Sequence, residues 1–107
     1  MDKNIDITIN KYLDLIKSKF SGIESAYLFG SYAKGKSTDD SDIDIALIFT
    51  KLDDTSRFDI QVQLMILASR IDSRIEPHPI SRDDFNSGSP FAFEIKKTGI
   101  ELTAQTA

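Results

Sequence analysis

Apolar residues early in the chain recur at helical spacing. Ile9, Tyr12, Leu13, Ile16 and Phe20 share one face, which predicts a helix near 8–20 ended by Ser21-Gly22. The period then shortens. Runs near 24–30 and 42–49 predict strands, and the polar stretch from Thr50 to Ser56 predicts a loop. A long helix is predicted near 56–72 and a third strand near 74–80. Pro77 and Pro79 remove two N–H groups from one side of that strand, so this side is expected to be unpaired. Pro90 suits the start of a helix near 90–98, Gly99 its C′ end, and residues 100–103 a short last strand. Residues 104–107 are expected to fray. Helices alternating with strands, without repeats, predict an α/β domain with a mixed β-sheet covered by helices.

The long helix is apolar on more than one side. Ile60, Leu64, Leu67 and Ile71 form the stripe expected to cover the sheet. Val62 and Ile66, with Met65 at the margin, lie towards the other side, as a buried layer or a partner surface would require.

Candidate chemistry is concentrated in residues 28–48. Asp42-Ile43-Asp44 opens the second strand, and alternation puts both carboxylates on one face, about 7 Å apart. Two like charges there need compensation, which a divalent cation supplies. The first strand ends at Gly30-Ser31. Gly30 allows a sharp turn and close approach of a ligand. Ser31 is expected to cap a short helix through Tyr32-Ala33-Lys34, with N–H groups suited to phosphate and with Lys34 and Lys36 adding positive charge. Each feature alone fits an ordinary turn; together they suit Mg²⁺-assisted nucleotidyl transfer.

Two other motifs overlap this stretch. Residues 30–37 fit the P-loop spacing, but a turn cluster and a strand follow Lys36 where a P-loop requires a long helix. Asp40-x-Asp42-x-Asp44 imitates the start of an EF-hand, yet position six is Ile45 and position twelve Lys51.

Gly30-Ser31 followed by Asp42-Ile43-Asp44 resembles the signature of the DNA polymerase β-like nucleotidyltransferases, in particular the small minimal nucleotidyltransferases. Tyr32-Ala33-Lys34-Gly35 is similar to the family's Ala-Arg-Gly continuation, with Lys in place of Arg. The stretch from Arg74 through Glu76 to Ser81 is similar to its third-carboxylate strand, and residues 89–102 to its closing helix and strand. The resemblance spans about residues 8–103 and implies one domain over 1–107 with the polymerase β-like fold. It implies that the Gly30 end of the first strand meets the Asp42 end of the second, with Glu76 joining from the third.

Composition agrees with a small cytoplasmic domain. A chain of 107 residues has room for one core. It has no Cys, hence no disulfide or thiolate metal site, and no apolar run of membrane-spanning length. A net charge of −4 argues against general nucleic-acid binding. His78, between two prolines, is read as structural rather than ligating, and Phe85, Phe91 and Phe93 as packing residues.

The resemblance implies transfer of AMP from ATP to a hydroxyl, with two Mg²⁺ held by Asp42, Asp44 and Glu76. Ser31 and nearby N–H groups would hold the phosphates, and Glu76 is the candidate proton acceptor. It implies an antitoxin whose acceptor is a HEPN-type ribonuclease. Two alternatives stand beside it: a non-catalytic module that neutralises its partner by contact, and an antibiotic-modifying enzyme completed by a second chain. Base, acceptor residue and oligomeric state are not legible.

Overall fold

A computed structural model describes residues 3–102. The elements are α1 (Lys3–Lys19), β1 (Ile23–Phe29), β2 (Ile43–Phe49), α2 (Asp54–Ser69), β3 (Ile75–Ser81), α3 (Arg82–Phe85), α4 (Pro90–Thr98) and β4 (Ile100–Leu102). The four strands form one sheet in the order β3-β2-β1-β4. β1 runs antiparallel to β2 and β4, while β2 and β3 are parallel. The mixed sheet follows from the connections: β1 returns directly into β2, whereas β3 is reached through a helical crossover.

Strand β2 is the centre of the molecule. Ile43, Ile45, Leu47 and Phe49 join the core built with α1 and α2. Ala46 and Ile48 join a second core with Ile80, Phe85, Ala92 and Ile95. A strand buried on both faces loses the apolar–polar alternation of a half-exposed strand, which is why residues 45–49 read as a continuous apolar run.

Helix α1 begins at Lys3 rather than near 8, because Ile5 extends the buried stripe of Ile9, Tyr12, Leu13 and Ile16 by one turn. The Tyr12 hydroxyl donates to the Leu64 carbonyl at 2.9 Å, tying α1 to α2, and burial pushes its phenol pKa up. Helix α2 starts at Asp54, earlier than 56, because Asp53 caps it by accepting from the Ser56 N–H at 2.9 Å. Leu64 and Leu67 are buried as expected, with Ile60 and Ile71 partly so. Val62, Met65 and Ile66 are exposed, and Phe58 joins them at 74 % exposure.

β3 is the sheet edge that its prolines require. Their carbonyls are not wasted on solvent: Gln61 Nε2 donates to Pro77 O at 2.9 Å and Arg57 Nη1 to Pro79 O at 3.4 Å. Helix α3 was not expected from the pattern. Ser81 caps it through Asp84 N–H at 3.0 Å, and Phe85 anchors it in the second core. Ser89 caps α4 and Pro90 opens it. Gly99 ends α4 with φ −74, extended rather than left-handed. Its role is steric, since a Cβ there would collide with the Ile95 carbonyl. The predicted strand end at 103 and the tail at 104–107 lie outside the described residues.

The cap of α2 carries a pH dependence. Hydrogen bonds from the Ser56 and Thr55 hydroxyls, then the Ser56 N–H, hold the Asp53 carboxyl at about 2. A carboxyl lowered by folding stabilises above its unfolded pKa of about 4, and the contribution is lost as pH falls through the folded value. Asp53→Asn keeps an acceptor but no charge. Its melting temperature should therefore fall less steeply than the parent's between about pH 4 and pH 2. Circular-dichroism melts across that range check this; parallel curves contradict it.

Candidate active site

Antiparallel pairing brings the end of β1 to the start of β2, with Phe29 opposite Asp44. The chain then turns at Gly30, whose φ is +76. Lys34 N–H donates to Gly30 O at 3.1 Å and Lys36 N–H to Ser31 O at 3.0 Å. The expected helix through residues 32–34 does not form: the segment is one helical turn, reversed at Gly35 with φ +71. Ser31 thus caps no helix. Any phosphate affinity must come from the turn's own N–H groups, and those of Ser31, Tyr32 and Ala33 meet no acceptor among the described residues.

Asp44 and Glu76 come together beside this turn. On the parallel pair β2–β3, Asp44 lies directly opposite Glu76. Neighbouring strands are about 4.8 Å apart, so these side chains share a face and a position along the sheet. Asp42 sits just ahead of β2 and is exposed. Asp44 packs so closely on Gly30 that a Cβ there would collide with its Oδ2. The same face carries Phe29 of β1 and His78 of β3, with Phe91 of α4 packed on both: ring centroids are 5.4 Å apart for Phe29–Phe91 and 6.0 Å for His78–Phe91.

Four residues that the sequence reading did not assign to the site contact it. His78 is no bystander: its Nε2 is 3.1 Å from Asp44 Oδ1. Strand parity was the available signal, since Glu76 and His78 are two apart and must point the same way. Phe91, read as a packing residue, is 38 % exposed and walls the site. Glu94, one turn further along α4, pairs with Lys34 at 2.9 Å, and Lys34 together with Thr98 holds its carboxyl below the usual range. Lys34 therefore stands at the site with a carboxylate partner, while Lys36 is exposed. Arg74 clamps the loop that follows: its Nη1 donates to Tyr32 Oη at 3.2 Å and to Asp39 O at 3.1 Å, and its guanidinium pairs with Asp72 at 2.8 Å. Phe93 is exposed and Phe85 buried, so only Phe85 is a pure packing residue.

A cavity of about 470 Å³ lies behind this loop, lined by Asn4, Ile5, Tyr32, Thr38 and Arg74 among others, but by none of Gly30, Asp42, Asp44 or Glu76. The carboxylate end of the sheet is the better chemical candidate, because it brings titratable groups together with unfilled N–H donors. Among the described residues no three His, Asp or Glu side chains are grouped closely enough to hold a metal by themselves. The donor type still fits Mg²⁺, a hard cation that takes one or two carboxylates and fills its shell with water and substrate phosphate oxygens.

Residues 8–106 match the family model described as polymerase beta, nucleotidyltransferase. The chain is 35% identical over 68 residues to the protein adenylyltransferase MntA of Shewanella oneidensis, covering 63% of this chain and 47% of that protein. It spans about half the length of the curated relatives it matches. A crystal structure of a candidate nucleotidyltransferase from Sulfolobus solfataricus superposes with TM-score 0.66, covering 92% of this chain and 78% of the other at 23% identity, a likeness of fold alone. A toxin–antitoxin crystallised with AMP-PNP gives TM-score 0.61 at 27% identity, over 94% of this chain and 74% of the other.

The two glycines of the turn allow a graded test. Both have positive φ, but a Cβ at Gly35 meets nothing within 4 Å, whereas one at Gly30 meets the Asp44 carboxylate. Gly35→Ala should cost about 1–2 kcal/mol, the left-handed backbone penalty alone. Gly30→Ala should cost more and displace Asp44 as well. Urea denaturation of both variants checks the order, and equal losses would show that the Gly30–Asp44 contact imposes no constraint.

Proposed function

Because the chain belongs to the polymerase β nucleotidyltransferase family, we propose that it transfers AMP from ATP to a hydroxyl of a partner protein. The attacking oxygen bonds to the α-phosphorus, the bond from that phosphorus to the bridging oxygen breaks, and pyrophosphate leaves. The observation that carries this reading is the convergence of the Gly30-Ser31 turn, Asp44 and Glu76 at one end of the sheet.

In this reading Ser31 and the free N–H groups of the turn bind the β- and γ-phosphates. Lys34 and Lys36 add positive charge at the same edge. Asp42, Asp44 and Glu76 would hold the two Mg²⁺, and Glu76 is the candidate acceptor for the hydroxyl proton. Bound there, Mg²⁺ would activate the attacking hydroxyl and offset the charge of the triphosphate. The exposed ring of Phe91 leaves a flat apolar wall beside the carboxylates.

The acceptor we favour is a helical HEPN-type toxin, with this chain as its antitoxin. Support comes from the adenylyltransferase name of the Shewanella relative and from the similar toxin–antitoxin structure. Phe58, Val62, Met65 and Ile66 on α2 offer an exposed apolar face for a protein partner. No helix among the described residues is long and apolar enough to cross a membrane.

The partner's intact mass is the decisive measurement. It should rise by whole AMP units only with this chain, ATP and Mg²⁺, and not with Asp42→Asn. Neutralisation of the partner by Asp42→Asn without any mass change would favour a contact-only binding module instead. Glu76→Gln should slow transfer by about 10²–10⁴-fold while leaving ATP binding largely intact; near-normal turnover would remove Glu76 from the mechanism. Ile66→Asp should weaken the complex, read by analytical ultracentrifugation, without lowering the melting temperature.

A further inference from the structure

The Asp44 carboxylate has its two oxygens in different surroundings. Oδ2 lies against Gly30 at the start of the turn. Oδ1 meets His78 Nε2 at 3.1 Å. One oxygen is thus engaged by a side chain, and the other is turned towards the Gly30-Ser31 segment.

His78 is itself held by its backbone and by two aromatic neighbours. It is the middle residue of Pro77-His78-Pro79, so the ring constraints of two prolines flank it. Being followed by proline, it is confined to extended backbone, as is Glu76. The carbonyls of both prolines are fastened to α2 by Gln61 and Arg57. Its ring packs against Phe29 at 5.0 Å and Phe91 at 6.0 Å. Its side chain is 36% exposed and that of Asp44 24%, so the bond between them is sheltered without being sealed. A donor so fixed sets the orientation of whatever accepts from it.

We propose that His78 is the positioning residue of Asp44: its Nε2–H holds Oδ1 and thereby aims Oδ2 at the cation and phosphate position beside Gly30. This deepens the reading of Asp44 as a Mg²⁺ ligand and rests on it. A neutral imidazole suffices, since donation requires only the Nε2–H tautomer. Hydrogen bonds that orient a ligating side chain contribute strongly to cation affinity; their removal costs about 10–100-fold in metal affinity or activity.

Two substitutions separate the hydrogen bond from the packing. His78→Phe keeps a ring between Phe29 and Phe91 but has no donor. His78→Gln loses the ring but offers an amide N–H near the position of Nε2. The probe is Mg²⁺ titrated into protein saturated with AMP-PNP, followed by calorimetry, with Mn²⁺ binding by electron paramagnetic resonance as a second readout. His78→Phe should weaken cation binding by about 10–100-fold, and His78→Gln should recover most of that loss. If His78→Phe does not fold, His78→Leu takes its place as the donor-free variant. Unchanged cation affinity in the donor-free variant, or equal loss in the Gln variant, overturns the proposal. Asp44→Asn in the same titration distinguishes the levels. If it abolishes binding while the donor-free variant does not, only the role of His78 fails. If it leaves binding intact, the assignment of Asp44 fails and the proposal fails with it.

Discussion

Everything at the proposed reaction centre depends on one close approach: the Asp44 carboxylate resting on the α-carbon of Gly30. Antiparallel pairing of β1 with β2 delivers the two residues to the same end of the sheet, but pairing alone would leave a Cβ between them. With glycine there, the carboxylate reaches the turn whose N–H groups are unfilled. The left-handed φ of +76 at the same residue turns the chain out of the strand. One residue thus meets a steric and a conformational demand at once. That explains why glycine is required there on physical grounds, whereas Gly35 answers only a conformational one.

Strand β2 divides the labour of the fold by parity. Its odd residues, from Ile43 to Phe49, belong to the larger core with α1 and α2. Of its even residues, Ala46 and Ile48 belong to the second core, and Asp44 belongs to the same face at the open end. The sheet face that carries the chemistry is therefore the face on which α4 packs, and α4 reaches the site twice, through Phe91 and Glu94. Residues three apart on a helix lie on one side, so a single docked helix contributes both an aromatic wall and a charge. The small second core fixes that helix by Ala92 and Ile95.

The parts legible in the sequence are those whose signals are local. Helical spacing found α1 and α2, Pro90 and Gly99 bounded α4, and apolar runs found β1 and β2, because each of these signals lies within a few residues. The Gly30-Ser31 and Asp42-Ile43-Asp44 unit was legible for the same reason, its members being close along the chain. Resemblance pointed to Glu76, and the parallel register puts it opposite Asp44. What was missed is non-local or balanced. The bond between His78 and Asp44 joins residues 34 apart in sequence; parity with Glu76 gives the face of His78 but not its partner. The Lys34–Glu94 pair and the Arg74 clamp likewise link distant segments. The turn after Gly30 was misread as a helix because Ser31 is a good cap, yet Gly35 ends the turn before a second one forms. Helix α3 is four residues long, too short for periodicity to reveal.

The edge position of β3 completes the picture. An edge strand bearing two prolines cannot recruit another strand on that side, and α2 takes up the two proline carbonyls. The same prolines stiffen the residues before them, which are Glu76 and His78. Protection of the edge and rigidity of the site therefore come from one sequence feature. A flexible edge strand would let Glu76 and His78 wander relative to Asp44, whereas here the register is fixed from β2 on one side and from α2 on the other. The alternation of proline with a functional residue in Glu76-Pro77-His78-Pro79 is a physical arrangement: the half-exposed positions carry the chemistry, while the buried prolines leave no N–H for further pairing at the edge.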